Sequence, residues 1–252
     1  MFYIIGIGLN TTQITLEAIN AIKDCEDIYI DNYTNKFSSG DISELEEIIS
    51  KKITLLNRKE LEQDLLYLKD NSALLVIGSP LSATTHYTVV QEAKKRKIPL
   101  KIILGISIFN YKGICGLFEY KFGKTTSIVY HSKNYKPTSF YNMILDNLKI
   151  KAHTLCLLDI KINENRLMNI KEACELLSEI DINKEKILSE KECVLIAAMG
   201  SDEQEIISFK FKDYNKINCN KYPQSLIICG ELNEFEKVAI DEYRLQRILF
   251  KI

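Results

Sequence analysis

Leu74 to His86 reads LLVIGSPLSATTH, and the fold turns on this stretch. Leu74 to Ile77 is an unbroken apolar run, short enough for a strand and buried on both faces as strands of parallel sheets are. Gly78 ends the run and permits a tight turn whose backbone is left open to a ligand. Ser79 and Pro80 read as a helix N-cap and a first helical residue. The helix is expected to run on through Leu81, Val89, Val90 and Ala93. A strand that stops at glycine and hands over to a helix leaves free N–H groups at the carboxyl edge of a sheet, where open α/β sheets bind ligands.

The chain before this stretch repeats the pattern. Phe2 to Ile7 is an apolar strand ending in GIGLN, Gly6 to Asn10. Thr12 is a candidate cap for a helix that buries Leu16, Ile19 and Ile22 on one face. Ile28 to Ile30 is a second strand, closed by Asp31. Asp41 caps a helix whose Ile42, Leu45, Ile48 and Ile49 face inward, while Glu44, Glu46 and Glu47 face water. Ile53 to Leu55 and Leu100 to Leu104 are further strands, with a helix between that carries Leu61, Leu65 and Leu66. Lys94 to Lys97 close the helix of the central stretch with cations, suited to the negative end of its dipole. Strand and helix alternate throughout, so a mostly parallel α/β sheet is expected.

Beyond residue 120 the pattern is more mixed. KFGKTTSIVYH, Lys121 to His131, enters a strand. A helix follows over 138–149, with Thr138 and Ser139 as capping candidates. Strands are expected at Thr154 to Ile160, Val194 to Ala198 and Leu226 to Cys229. Ile206 to Phe211 pairs antiparallel with the second of these. Helices are expected over Ile170 to Leu177 and Leu232 to Tyr243. Two α/β domains result, 1–120 and 121–252, the first sheet mostly parallel and the second mixed.

Bulk properties narrow the function. Net charge is −1, whereas a dedicated nucleic-acid binder carries a basic excess and a membrane-surface protein a basic face. No apolar stretch reaches membrane-spanning length, and MFYIIGIG lacks the basic start of a signal peptide. The seven cysteines are odd in number and form no CxxC, and several lie inside apolar runs. They read as buried free thiols in a reducing, cytoplasmic setting. The three histidines lie far from any paired cysteines, so no metal site is expected.

GIGLN follows a strand and precedes a helix, as a dinucleotide loop does, and Asp31 ends the next strand. Thr11 stands where GxGxxG needs its third glycine, which argues against NAD. No GxSxG elbow, HExxH or Walker loop is present. His86 is a lone histidine beside Thr84 and Thr85, and such residues are more often structural than catalytic. Methyl transfer from a sulfonium donor needs little side-chain chemistry. The donor is already activated, and catalysis rests on in-line orientation.

Longer stretches carry a resemblance over the whole chain: YIIGIGL at 3–9, IDNYT at 30–34, SPLSATTH at 79–86, ISI at 106–108, GICGLFEYKFGKTTSIVY at 113–130, PTSFYN at 137–142, HTLCLLDIK at 153–161 and AAMGS at 197–201. The chain resembles the diphthine synthases, methyltransferases of diphthamide biosynthesis in the tetrapyrrole methylase superfamily. KFGK and PLxATTH are the specific parts; GIGL alone is weak. The resemblance implies two α/β domains with a ligand cleft between them, S-adenosylmethionine as donor, S-adenosylhomocysteine as product, and a homodimer. The implied acceptor is the amino group of a 3-amino-3-carboxypropyl-modified histidine on translation elongation factor 2. Eukaryotic members add a methyl ester. The short length resembles the archaeal type and the wording of GICGL the eukaryotic one, which leaves the ester open.

The resemblance places donor contacts at Leu9, Ser79, Ser82, Ser107, Ile108, Leu158, Met199 and Gln224, and names no catalytic acid or base. Asn10, Ser79 and Gln224 stand where the family usually has glycine, aspartate and histidine. Alternatives are a corrin or porphyrin carbon methylase, and a protein that binds the factor without a donor.

Overall fold

The structure, a computed structural model, describes residues 1–31, 33, 35–82, 86–182 and 186–245. Asn32 and Thr34 of IDNYT, and Ala83, Thr84 and Thr85 of SPLSATTH, lie outside the described residues. The chain divides into two compact units, Met1–Asn110 with Lys161–Asn165, and Tyr111–Ile160 with Arg166–Ile252. The division at Asn110 lies ten residues before the boundary at 120 drawn from the sequence.

The first unit is built on five strands: β1 Phe2–Gly6, β2 Asp27–Asp31, β3 Thr54–Leu56, β4 Ser72–Val76 and β5 Leu100–Ile103. They are ordered β3-β2-β4-β1-β5, and every pair is parallel. Helices α1 Leu16–Lys23 and α2 Ile42–Ile49 bury Ala18, Ile22, Leu45 and Ile49 against one face of the sheet, formed by Ile5, Ile28, Ile30, Ala73 and Leu75. Helix α3, Tyr87–Lys95, buries Val89, Val90 and Ala93 in the other core, with Phe2, Ile4, Leu74 and Val76. β1 and β4 are neighbours, yet the helices that follow them lie on opposite faces. This is a topological switch point, whose crevice lies at the carboxyl ends of those two strands.

Three local expectations are corrected. The helix after β4 begins at Tyr87, not at Ser79; Pro80 and Leu81 lie in a turn closed by the Ser82 N–H donating to the Ser79 carbonyl at 3.1 Å. A glycine, a capping serine and a proline suit a tight turn as well as a helix start. Second, Thr15 rather than Thr12 caps α1, accepting from the Ala18 N–H, which leaves Leu16 79% exposed. Third, the segment with Leu61, Leu65 and Leu66 is a single π-type turn, Glu60–Asp64. Leu65 adopts φ +50 after it, which swings Leu66 outward to 83% exposure, while Leu61 stays buried. Asp41 caps α2 as expected, accepting from the Glu44 N–H.

In the second unit, β6 Thr126–Ile128 runs parallel to β7 Thr154–Leu158. The strands Glu192–Ala197, Glu205–Lys210 and Gln224–Ile228 complete a mixed sheet through antiparallel pairs. Helices Ser139–Lys149 and Ile170–Ile182 cover one face, with Phe140, Tyr141, Ile144, Ala173, Cys174 and Leu177 packed on Cys156, Leu195 and Leu226. The last described helix is Glu234–Asp241. Among the described residues no helix is long and apolar enough to cross a membrane.

Candidate functional site

The carboxyl ends of β1, β4 and β5 meet as backbone against backbone. A β-carbon built on Gly6 would lie 2.5 Å from the Gly105 nitrogen and 2.6 Å from the Gly78 carbonyl oxygen. Gly78 donates its N–H to the Gly8 carbonyl at 2.8 Å, and the two glycines sit at φ +87 and +86, where side chains are strained. On its open side Gly78 faces Ser107 and Leu9: a β-carbon there would make ordinary contacts, 3.7 Å to Ser107 Cβ and 3.9 Å to Leu9 Cδ2. Leu9, Gly78 and Ser107, from three separate loops, therefore share one small surface.

Each loop is held by side chains that the sequence did not single out. The Leu9 N–H donates to Gln13 Oε1 at 2.9 Å, and the Leu9 carbonyl accepts from the N–H and hydroxyl of Ser38. Asn10 is extended, with φ −136, and its side chain accepts from the N–H and hydroxyl of Thr12. The left-handed turn that a glycine at this place would permit is not used, and asparagine serves as a cap. Asn110 Oδ1 accepts the Ser107 N–H at 2.9 Å, which leaves Ile108 at the start of a short helical turn, half-buried. These supports are local polar pairings, two to four residues apart except for Ser38. Gln and Asn after a glycine-rich strand end are the signal that could have found them.

Ser79 and Ser82 lie in the turn after Gly78, both half-buried. Asp31 is not placed for a ribose at the surface; it is 1% exposed, with Oδ2 3.4 Å from Nε2 of the buried His86.

In the second unit, Leu158 ends β7. Asp159 beyond it donates its N–H to the Ile128 carbonyl and accepts the Tyr130 N–H at Oδ2. Gln224 pairs with Ala197, and Ser225 with Leu157, so Leu158 and Gln224 lie at one end of the sheet beside the turn that carries Met199. That turn is tight: Ala198 has φ +49 and Gly200 φ +85, and Met199 is buried between them. A non-glycine residue in the left-handed region is a strained position of the kind found at binding turns. Both donors of the Gln224 side chain are committed, to the carbonyls of Cys219 and Lys221, and its Oε1 accepts the Ile170 N–H at 2.8 Å.

The family model for tetrapyrrole (corrin/porphyrin) methylases matches residues 1–214. Over the full chain the sequence is 36% identical to the diphthine methyl ester synthase of Kluyveromyces lactis, across 92% of that protein. It is 37% identical to the diphthine synthase of Methanocaldococcus jannaschii, across 95% of this chain and 97% of that one. The chain belongs to the diphthine synthases. A crystal structure of a diphthine synthase superposes with a TM-score of 0.85 over the whole of both chains, at 26% identity.

A diphthine synthase is a methyltransferase of diphthamide biosynthesis, and this chain is an enzyme of that kind. A corrin or porphyrin carbon as acceptor is not favoured, because the relatives matched end to end are diphthine synthases. Such an enzyme has no need of a nucleophilic thiol, and this one presents none: all seven cysteines are free and buried. Burial pushes every one of the thiols up, so they stay protonated. Among the described residues no group of three or more His, Cys, Asp or Glu is placed to hold a metal.

Proposed function

We propose that the chain transfers methyl groups from S-adenosylmethionine to the amino group of the 3-amino-3-carboxypropyl-modified histidine of translation elongation factor 2, giving diphthine and S-adenosylhomocysteine. The end-to-end similarity to diphthine synthases carries this reading. As donor-contact residues we propose Leu9, Ser79, Ser82, Ser107 and Ile108 of the first unit, and Leu158, Met199 and Gln224 of the second. The open side of Gly78, bounded by an apolar side chain and a serine, fits a flat, partly polar group such as an adenosyl moiety. Gln224 would meet it through its main chain, since its amide donors are already engaged.

The chemistry is a displacement. The amine lone pair forms the new C–N bond as the C–S bond of the sulfonium breaks, and the sulfide leaves neutral. The amine proton passes to water or to the substrate's own carboxylate. What the protein's residues supply is orientation, which is worth roughly 7–11 kcal/mol in well-aligned reactions. The enzyme works as a cytoplasmic homodimer on a protein substrate, without nucleic acid or membrane. Its net charge of −1 suits a partner met by local complementarity rather than by a broad field.

The test is calorimetric titration with S-adenosylmethionine and S-adenosylhomocysteine, with NADH as control, followed by mass spectrometry of the modified factor. Saturable binding of both adenosyl ligands and added methyls on the factor are expected. Binding of NADH alone, or factor binding without adenosyl-ligand binding, would discard the reading.

A further inference from the structure

Two buried residues at the carboxyl edge of the first sheet have no part in the displacement as described. Asp31 is the last residue of β2, and His86 stands just before α3. They are 55 residues apart in the chain and 1% and 2% exposed. His86 Nδ1 lies 3.2 Å from the Pro80 carbonyl oxygen. A carbonyl only accepts, so the proton of this contact is on Nδ1. Nε2 then faces Asp31 Oδ2 at 3.4 Å, a contact that is attractive when a proton lies on either atom.

The ring thus makes two ties. Through Nδ1 it reaches back six residues to the Pro80 carbonyl. Through Nε2 it meets Asp31 at the end of β2. Pro80 stands in the turn between Ser79 and Ser82, and it packs against Gly6 at the meeting of the three strand ends. Asp31 also accepts the Tyr33 N–H at 3.0 Å, which fixes the carboxylate from its own side. Short polar side chains bind a ligand well only when the loop that carries them is already in place, because ordering it on binding costs affinity.

We infer that His86, held by Asp31, is a positioning residue for the methyl donor: it sets the Ser79–Ser82 turn before the donor arrives. This rests on the donor reading above. The pair acts through the Ser79–Ser82 turn, and neither residue touches the reacting atoms.

Calorimetry with S-adenosylhomocysteine tests it on the unsubstituted chain, His86→Leu, His86→Asn and Asp31→Asn. Asparagine at 86 places an amide N–H near the site of Nδ1 and keeps the Pro80 tie; leucine keeps neither tie. His86→Leu is expected to weaken binding about tenfold or more, the scale of one lost hydrogen bond in a buried site. His86→Asn is expected to recover most of that loss, and Asp31→Asn to fall between. In turnover the donor KM is expected to rise with kcat little changed, whereas a merely structural defect lowers the active fraction and so lowers kcat alone. Equal binding by unsubstituted and leucine chains, equal impairment of leucine and asparagine chains, or a fall in kcat alone would each overturn the inference. Should His86→Leu fail to fold, Asp31→Asn against the unsubstituted chain decides, with equal binding counting against it. If the unsubstituted chain binds no adenosyl ligand, the donor reading itself falls and takes the inference with it.

Discussion

Each unit of the molecule buries a histidine against a carboxylate, and the two pairs are wired oppositely. In the second unit His153 Nδ1 accepts the Gly230 N–H at 3.0 Å, so Nε2 carries the proton and donates it to Glu236 Oε1 at 3.0 Å. Both side chains are fully buried, and Glu236 also accepts from the N–H groups of Phe118 and Asn233 and pairs with Lys121. Every polar atom there has a defined role, and the pair staples the 118–123 loop, the Gly230 turn and the last helix together. In the first unit His86 has its proton on Nδ1, and its other nitrogen faces a carboxylate across 3.4 Å. One pair is a finished joint inside the fold. The other is attached to the Ser79–Ser82 turn, proposed above to meet the donor.

The largest expected effect breaks the joint. Glu236→Ala leaves Lys121 and three N–H donors without their acceptor and is expected to cost about 3–5 kcal/mol in urea unfolding. Adenosyl-ligand affinity should be unchanged under native conditions. A cost below about 1 kcal/mol would place Glu236 among ordinary surface pairs instead. Next is Gly105→Ala, at the other region. Its new β-carbon would meet the Gly6 carbon at 2.5 Å, backbone that cannot step aside. About 1–3 kcal/mol of stability should go, and donor binding with it, since the strand ends must part.

Acid separates the regions in another way. Burial alone would raise Glu236, but Lys121, the N–H groups of Phe118 and Asn233, and His153 hold it down to about 2. Burial lowers His153, and Glu236 only partly offsets this. Both groups are depressed in the fold, so their stabilisation is complete above about pH 6.5 and is lost as pH falls. The histidine contribution goes first, and the glutamate contribution between about 4.3 and about 2. Urea midpoints against pH should show both phases, and Glu236→Gln should flatten the lower one. An unchanged slope in that variant would move the acid sensitivity elsewhere.

Smaller effects sharpen the proposed donor edge. Ser79→Asp should preserve or tighten S-adenosylmethionine binding by a few-fold, through attraction to the donor's charged end; a large loss would show that Ser79 is misplaced. Asn10→Ala should cost about 1 kcal/mol and Asn10→Gly only a few tenths, because the residue is a cap and not a left-handed turn.

Much of this edge could be read from sequence. Apolar runs ending in Gly6, Gly78 and Gly105 announced parallel strands with open turns, and Asp41 announced its cap. Reading failed where local chemistry is ambiguous. Gly78-Ser79-Pro80 suits both a helix start and a turn, and the Ser82 N–H on the Ser79 carbonyl shows which one formed. Leu16 and Leu66 fitted a helical stripe, but a later cap and a left-handed Leu65 turned them outward. The histidine pairs were out of reach for a different reason: nothing near His153 points to Glu236, 83 residues away. A buried histidine announces a need for a partner without naming it. Gln224 showed the same limit, its amide being spent on Cys219, Lys221 and Ile170.

The meeting of Gly6, Gly78 and Gly105 has a consequence for how this enzyme should be mapped. The proposed donor edge is written in main chain, so replacing side chains by alanine one at a time will pass over much of it. Amide exchange is the matching probe. The N–H of Gly78, bonded to Gly8 between two glycine turns, should exchange slowly, and slower still once the edge is covered.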